Sequence, residues 1–275
     1  MGGAALMFGG WRYAFGVALA SIAAAMATYL ILIRGRHKTT PGLKAALQTV
    51  QTEGVSRRTP PRVFIRLTLV LLAVYLCFAA YGQVSNIVLV WAKQNIDLDF
   101  GFGVIPVGWL LALDGLFTIL LIFIVQAASG FAGRRGLVLG PHAQIILGCL
   151  ACAAGYLVLI LADRFAGSPA SPAWLLAYLL LIDLAIILVW PSGISLATGH
   201  APRGQAGGWG GLFYLYGFFS SLWVGFAGGF FQSLEMGAFW LIHVAAALGG
   251  AVLAIVAALL AREQRVMDQA ITTLA

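Results

Sequence analysis

The chain has 275 residues, of which 61% are hydrophobic and only 9% are charged, with a formal net charge of +7 at pH 7. Soluble domains carry about 25% charged residues, so this composition excludes an ordinary soluble domain and indicates an integral membrane protein. No basic stripe with interleaved aromatic residues occurs, so the positive excess is better explained by membrane topology than by nucleic acid. The three cysteines lie inside apolar runs and indicate packing rather than a disulfide framework.

Seven apolar runs are long enough to cross a bilayer as helices, because a helix needs about 20 residues to span the hydrocarbon core. Their approximate ranges are 11–33, 63–91, 104–128, 143–161, 172–199, 209–231 and 239–260. The second run is longer than one span requires, which predicts a tilted helix. We therefore predict an all-α membrane protein with seven transmembrane helices.

A polar, basic segment follows the first run and divides the chain into one helix plus six. The resulting divisions are a first transmembrane helix over 1–33, a basic cytoplasmic connector over 34–62, a six-helix bundle over 63–262 and a cytoplasmic tail over 263–275. The seventh run contains no lysine, which argues against a retinal protein with a Schiff base in its last helix.

The distribution of cations predicts the orientation. Most of them lie in the connector, in the turn at Arg134, in the turn after His200 and in the tail. These segments all fall on one side of the seven-helix topology, and the positive-inside rule makes that side cytoplasmic. The expectation is a multi-pass protein of the inner or plasma membrane, with its N-terminus outside and its C-terminus inside.

Several polar residues are predicted to lie near the middle of the bilayer. Gln83 in the second span, Asp114 in the third and Asp183 in the fifth are each about 15 Å from the outer boundary, and Asn86 lies one turn from Gln83. Transporters place substrate and coupling-ion sites at this depth, often beside broken helices. Pro191, followed by Gly193, predicts such a break, because proline removes a backbone hydrogen bond.

Functional and structural interpretations compete for these residues. Intramembrane acids are usually functional, which favours a site at Asp183, and Asp183 shares a helical face with Trp190. Asp183 either receives a cationic group of a ligand or stays protonated and donates a hydrogen bond within the bundle. Asp114 is equally well explained as a site or as a buried residue beside a kink. The amides Gln83 and Asn86 also fit hydrogen bonds to a neighbouring helix.

The chain lacks the patterns expected of an enzyme or a metalloprotein. No Gly-x-Ser-x-Gly elbow and no His-Glu-x-x-His motif occurs, and no histidine has a metal-ligand partner at a suitable spacing. We therefore predict no catalytic residues, no metal site and no cofactor.

A series of motifs resembles, in chain order, the C-terminal half of the proton-coupled oligopeptide transporter (POT) family of the major facilitator superfamily. The motifs are GWRYAFG at 10–16, FAAYGQ at 78–83, LDGLF at 113–117, and PSGISL at 191–196 followed by Ala201-Pro202. They resemble the family's sixth, seventh, eighth and tenth helices respectively. The family usually has an acid at the position of Gly82, Asn-Pro at the position of Asp114-Gly115 and a glutamate at the position of Ile186.

The resemblance implies helices six to twelve of a twelve-helix transporter. It implies translocation of di- and tripeptides or related small solutes by alternating access, with proton coupling, together with a separate N-terminal half or a second copy. From the depth of the polar residues and the shared helical face, we predict a substrate site that includes Gln83, Asn86, Asp114, Asp183 and Trp190. The alternative is a truncated or degenerate relative without transport activity, acting as an interaction subunit.

Overall fold

In a computed structural model, the described residues are 16, 19–28, 30–31, 59–99, 103–167, 169–202 and 204–274. Their helices are α1 (Leu19–Thr28), α2 (Pro61–Tyr81), α3 (Ile87–Asn95), α4 (Trp109–Arg134), α5 (Pro141–Phe165), α6 (Pro172–Gly199), α7 (Ala206–Tyr214), α8 (Tyr216–Gly228) and α9 (Met236–Leu274). Helix α1 is a short apolar helix. The motif at 10–16 falls outside the described residues except for Gly16, and so does most of the connector over 34–62.

Six segments of the described chain are long and apolar enough to cross a membrane. They are Pro61–Ser85, Trp109–Arg134, Pro141–Phe165, Pro172–Gly199, Ala206–Gly228 and Met236–Glu263. All the named elements of this bundle are helical apart from two isolated β-bridges in the loops. The predicted all-α membrane fold is therefore confirmed.

The centre of the bundle is formed by α5, which packs against α6 and α9, while α9 also packs against α2. Small residues make these contacts close. A Cβ atom added at Gly148 of α5 would lie 2.9 Å from the carbonyl oxygen of Ala185 in α6. One added at Gly250 of α9 would lie 2.9 Å from the carbonyl oxygen of Ala73 in α2. Spanning helices pack in this way because lipid provides no hydrophobic drive for their association.

The length of the second predicted span suggested one tilted helix, but the structure shows two helices. The span consists of α2 and α3, joined by a 3-10 turn over Gly82–Ser85 and by Asn86, whose backbone is non-helical. The turn lies against α8. The hydroxyl of Ser220 donates to the carbonyl of Phe78 at 2.7 Å, and the amide of Asn86 donates to the carbonyl of Val224 at 3.3 Å. These bonds stabilise a backbone that departs from regular α-helix.

The prediction of a helix break at Pro191 and Gly193 is wrong, because α6 continues as a helix to Gly199. A proline removes only one backbone hydrogen bond, and packing on both sides of this segment keeps the helix intact. A Cβ atom added at Gly193 would lie 2.8 Å from side-chain atoms of both Phe213 and Val74. Gly193 is therefore a close-packing residue rather than part of a break.

Candidate functional site

A cavity of about 680 Å³ lies beside α6, in the half of the bundle nearer the connection between α4 and α5. Its volume is typical of sites for small molecules. The lining residues come from α2, α4, α5, α6 and α8: Tyr81, Thr118, Ile122, Val125, Gln126, Ser129, Gln144, Ile186, Ile187, Leu188, Trp190, Pro191 and Tyr216. Its position between helices and its size make it the best candidate for a ligand site in the described part of the chain.

The described lining is uncharged. It combines apolar side chains with hydroxyl and amide groups, which can donate and accept hydrogen bonds without carrying charge. Pro191 has no N–H, so the carbonyl of Ile187 one turn earlier lacks its usual intrahelical donor. Such a surface is suited to an uncharged part of a ligand that carries amide or hydroxyl groups.

Trp190 is the sequence-predicted site residue that lines this cavity. Its indole N–H donates to the hydroxyl of Tyr216 at 3.2 Å, which connects α6 to α8. Its ring also lies edge-on to Phe213, with the ring centroids 6.2 Å apart. These contacts fix the orientation of a large aromatic side chain at the wall of the cavity.

Asp114 and Asp183 come together across α4 and α6, but neither lines the cavity. The hydroxyl of Thr118 donates to Oδ1 of Asp183 at 2.7 Å. Asp183 is 0% exposed, and its other oxygen, Oδ2, has no hydrogen-bond partner. Oδ1 of Asp114 is likewise buried without a partner, and the two carboxyl groups interact with each other. Thr118 therefore stands between the carboxyl pair and the cavity.

Gln83 and Asn86 belong to the turn between α2 and α3. The side chain of Asn86 bonds to the backbone of α8, as expected for an amide that joins neighbouring helices. Gln83 is 0% exposed, and neither its amide nitrogen nor its amide oxygen has a hydrogen-bond partner. The cavity lining includes neither of them.

The two positions where the resemblance implies acids are occupied differently here. A Cβ atom at Gly82 would lie 2.5 Å from a methyl group of Val224 and 2.9 Å from the hydroxyl of Ser220, so the site has no space for a carboxylate side chain. Ile186 lines the cavity and presents an apolar group where the family has a glutamate. The acids of this bundle therefore lie at other positions from those that the resemblance implies.

Sequence reasoning missed the polar stripe of α4. Asp114, Thr118, Gln126 and Ser129 follow helical spacing, and the last three line the cavity. The signal was present, because Thr118 lies one turn after Asp114 and residues four apart share a helical face. Among the residues that the structure describes, no group of three or more His, Cys, Asp or Glu side chains could hold a metal ion.

Comparisons with known proteins agree with this architecture. A family model described as Major Facilitator Superfamily matches residues 1–225. The peptide transporter YePEPT of Yersinia enterocolitica subsp. palearctica is 26% identical over 180 residues, which are 64% of this chain and 35% of that protein.

The fold also matches solved structures. One is a POT peptide transporter in complex with alafosfalin, with a TM-score of 0.66 and 20% identity, covering 88% of this chain and 53% of that one. Another is a POT family transporter in complex with 5-aminolevulinic acid, with a TM-score of 0.64 and 14% identity, covering 90% and 54%.

The chain thus spans about half the length of these structures and about a third of the length of YePEPT. The predicted resemblance to the C-terminal half of POT transporters is confirmed. This assignment to a transporter family rather than an enzyme family also agrees with the absence of catalytic motifs. Because the family model covers most of its length, the chain belongs to the Major Facilitator Superfamily.

Proposed function

We propose that this chain forms one wall of a transporter that moves small peptide-like solutes across the membrane by alternating access. The observation that carries the proposal is the cavity beside α6, with its uncharged hydroxyl, amide and aromatic lining. Hydroxyl and amide groups match the peptide bonds of such solutes, and the ring of Trp190 offers a surface for an apolar side chain. The similarity to peptide transporters supports the same substrate class.

The proposal includes a second wall. In facilitator folds the site lies between two halves related by an axis along the membrane normal. We propose that an N-terminal half, on the same polypeptide or on a separate chain, or else a second copy, closes the cavity. The alternative of an interaction subunit without transport activity is less well supported, because the similar proteins are peptide transporters and the cavity has a lining with hydroxyl and amide groups.

The predicted site residues have different roles in this proposal. Trp190 contacts the substrate directly, whereas Asp114 and Asp183 act from behind Thr118. Gln83 and Asn86 lie at the turn between α2 and α3, where a change of backbone angle would tilt these two helices against α8. Proton coupling is part of the proposal, and the carboxyl pair is its candidate site.

Uptake of a radiolabelled dipeptide into liposomes tests the transport function. We expect proton-driven accumulation when the chain is assembled with an N-terminal half and none when it is reconstituted as a monomer. Trp190→Ala should lower uptake by about tenfold, a loss of about 1.4 kcal/mol of interaction. Trp109→Ala, a half-exposed tryptophan outside the cavity, should leave uptake unchanged and serves as the matched control. Accumulation by the monomeric chain, or no uptake by a verified assembly, would overturn the proposal.

The proposed orientation, with the C-terminus cytoplasmic, has its own test. Val138 lies in the loop between α4 and α5, and Phe165 ends α5 at the opposite face of the bundle; both are exposed. A membrane-impermeant thiol reagent applied to intact cells should label Phe165→Cys and spare Val138→Cys. The native cysteines are buried, so the unsubstituted chain gives the background. Labelling of the Val138→Cys variant alone would show that the orientation is the opposite of the one proposed.

A further inference from the structure

Two carboxyl groups lie together behind the cavity. Asp114 of α4 and Asp183 of α6 interact with each other, and each has one buried oxygen atom without a hydrogen-bond partner. The side chain of Asp183 is 0% exposed. An oxygen that is buried in this way is costly unless a donor reaches it, so the unpartnered Oδ2 of Asp183 favours the binding of a proton or of a donor group there.

The surroundings of the pair contain no compensating cation among the described residues. Thr118 of α4 donates one hydrogen bond to Asp183. The other titratable groups that interact with the pair are the hydroxyls of Tyr81 on α2 and Tyr178 on α6, with Tyr216 of α8 next to Tyr81. Two adjacent carboxylates in such a low-dielectric place cannot both be ionised, because like charges in contact repel strongly.

We propose that the Asp114–Asp183 pair is a proton-binding site that serves the transport cycle. In the resting state one proton is shared between Oδ1 of Asp114 and Oδ2 of Asp183, which gives each unpartnered oxygen a partner and leaves the pair with one negative charge. Loading adds a second proton from the cavity and makes the pair neutral, and release returns it. No other bond forms or breaks.

Thr118 connects this site to the cavity. Its hydroxyl lines the cavity and bonds to Asp183, so a proton or a change in ligand occupancy reaches the carboxyl pair through one side chain. The neighbouring positions cannot provide an equivalent acid, because Gly82 has no space for a side chain and position 186 is an isoleucine. Among the described residues that line the cavity there is no acid, and the pair is linked to it through Thr118.

Infrared difference spectroscopy on the purified full chain tests proton binding without requiring transport. At neutral pH we expect the carbonyl stretch of a protonated carboxylic acid in the unmodified chain. The band should disappear in Asp114→Asn and in Asp183→Asn, because each new amide N–H satisfies the remaining carboxylate and allows it to ionise. Asp163→Asn, at the exposed end of α5, should leave the band unchanged.

Two results would overturn the proposal that the two carboxyl groups share a proton. One is absence of the band from the unmodified chain, and the other is full retention of the band in either single variant, which would mean that the acids protonate independently. Thermal unfolding of each variant checks folding. The asparagine variants keep the shape of the side chain, so a loss of the band in a folded variant is a loss of the proton.

The coupling role rests on the proposed transport function and is tested separately in the assembly with an N-terminal half. Each asparagine variant should retain substrate counterflow within about twofold and lose proton-driven accumulation. Loss of counterflow in a folded variant would instead make the acids substrate ligands and overturn the coupling role. If no assembly transports any substrate, the transport proposal fails, while the infrared result still decides whether the pair binds a proton.

Discussion

Helices α4 and α5 are almost equally apolar, yet they have opposite places in the bundle. Their most apolar segments have mean hydropathies of 2.3 and 2.6, but 6% of the α4 segment is buried in this chain against 56% of the α5 segment. Leu110 is the buried residue of α4, whereas α5 buries ten residues. The hydropathy of a helix therefore does not predict how much of that helix is buried within the protein.

Side-chain size accounts for the difference. The middle of α5 reads LGCLACAAGY over 147–156, and its small residues allow α6 and α9 to approach closely. The middle of α4 reads LFTILLIFIV over 116–125, whose bulky side chains suit a helix that faces lipid or a partner. The least buried of the six spanning segments, α4, also carries Thr118 and most of the polar stripe of the cavity. The comparison predicts that substitutions in α5 act on stability and those in α4 on function.

The largest expected effect is a loss of protein stability caused by a substitution in α5. In Gly148→Ala, the new methyl group would lie 2.5 Å from Val189 and 2.9 Å from the carbonyl oxygen of Ala185, a backbone atom that cannot turn away. Overpacking of this kind costs about 1–3 kcal/mol. Gly130→Ala on α4 meets no atom within 4 Å and should be neutral or slightly stabilising. Thermal unfolding of both variants in the same detergent measures the contrast, and equal losses would contradict it.

The next largest effect on protein stability is expected from the removal of a hydrogen bond made by α5. The hydroxyl of Tyr156 is buried, donates to the carbonyl of Ala80 at 2.5 Å and accepts from Tyr178 at 3.3 Å. Tyr156→Phe leaves the hydroxyl of Tyr178 without an acceptor, so we expect a loss of about 1–2 kcal/mol in the free energy of unfolding. Tyr214→Phe removes an exposed hydroxyl and is the control. A Tyr156→Phe variant as stable as this control would show that the bond contributes nothing.

The smallest effect on stability, and the one specific to function, is expected at Thr118 of α4. Thr118→Val keeps the shape of the side chain and removes the bond to Asp183, at a cost of about 1 kcal/mol to the free energy of unfolding. Proton-driven uptake by the assembled transporter should fall by about tenfold, and Thr118→Ser should restore it. Unchanged uptake in a folded Thr118→Val variant would remove Thr118 as the link between the cavity and the carboxyl pair.

The candidate site was only partly predictable. Depth along each helix selected Asp114 and Asp183, which the structure brings together, because both distances are counted from a span end at a constant rise per residue. Depth does not specify which side of a helix a residue occupies, so it grouped Gln83 and Asn86 with the acids, although these amides lie in the turn that packs against α8. The stripe containing Thr118 was missed because hydroxyls on helices are common and carry no charge to mark them.

The sequence by itself determined the class of the protein, the approximate positions of the six spans that the structure describes and the presence of acids at depth, since each depends on the transfer of single residues from water to an apolar phase. Only the tertiary structure decided that α6 continues through Pro191, that the second span turns at Gly82 and that the two carboxyl groups meet. These outcomes depend on contacts between helices distant in the chain. Lipid and protein interiors are equally apolar, so hydropathy cannot distinguish a helix that faces one from a helix that faces the other.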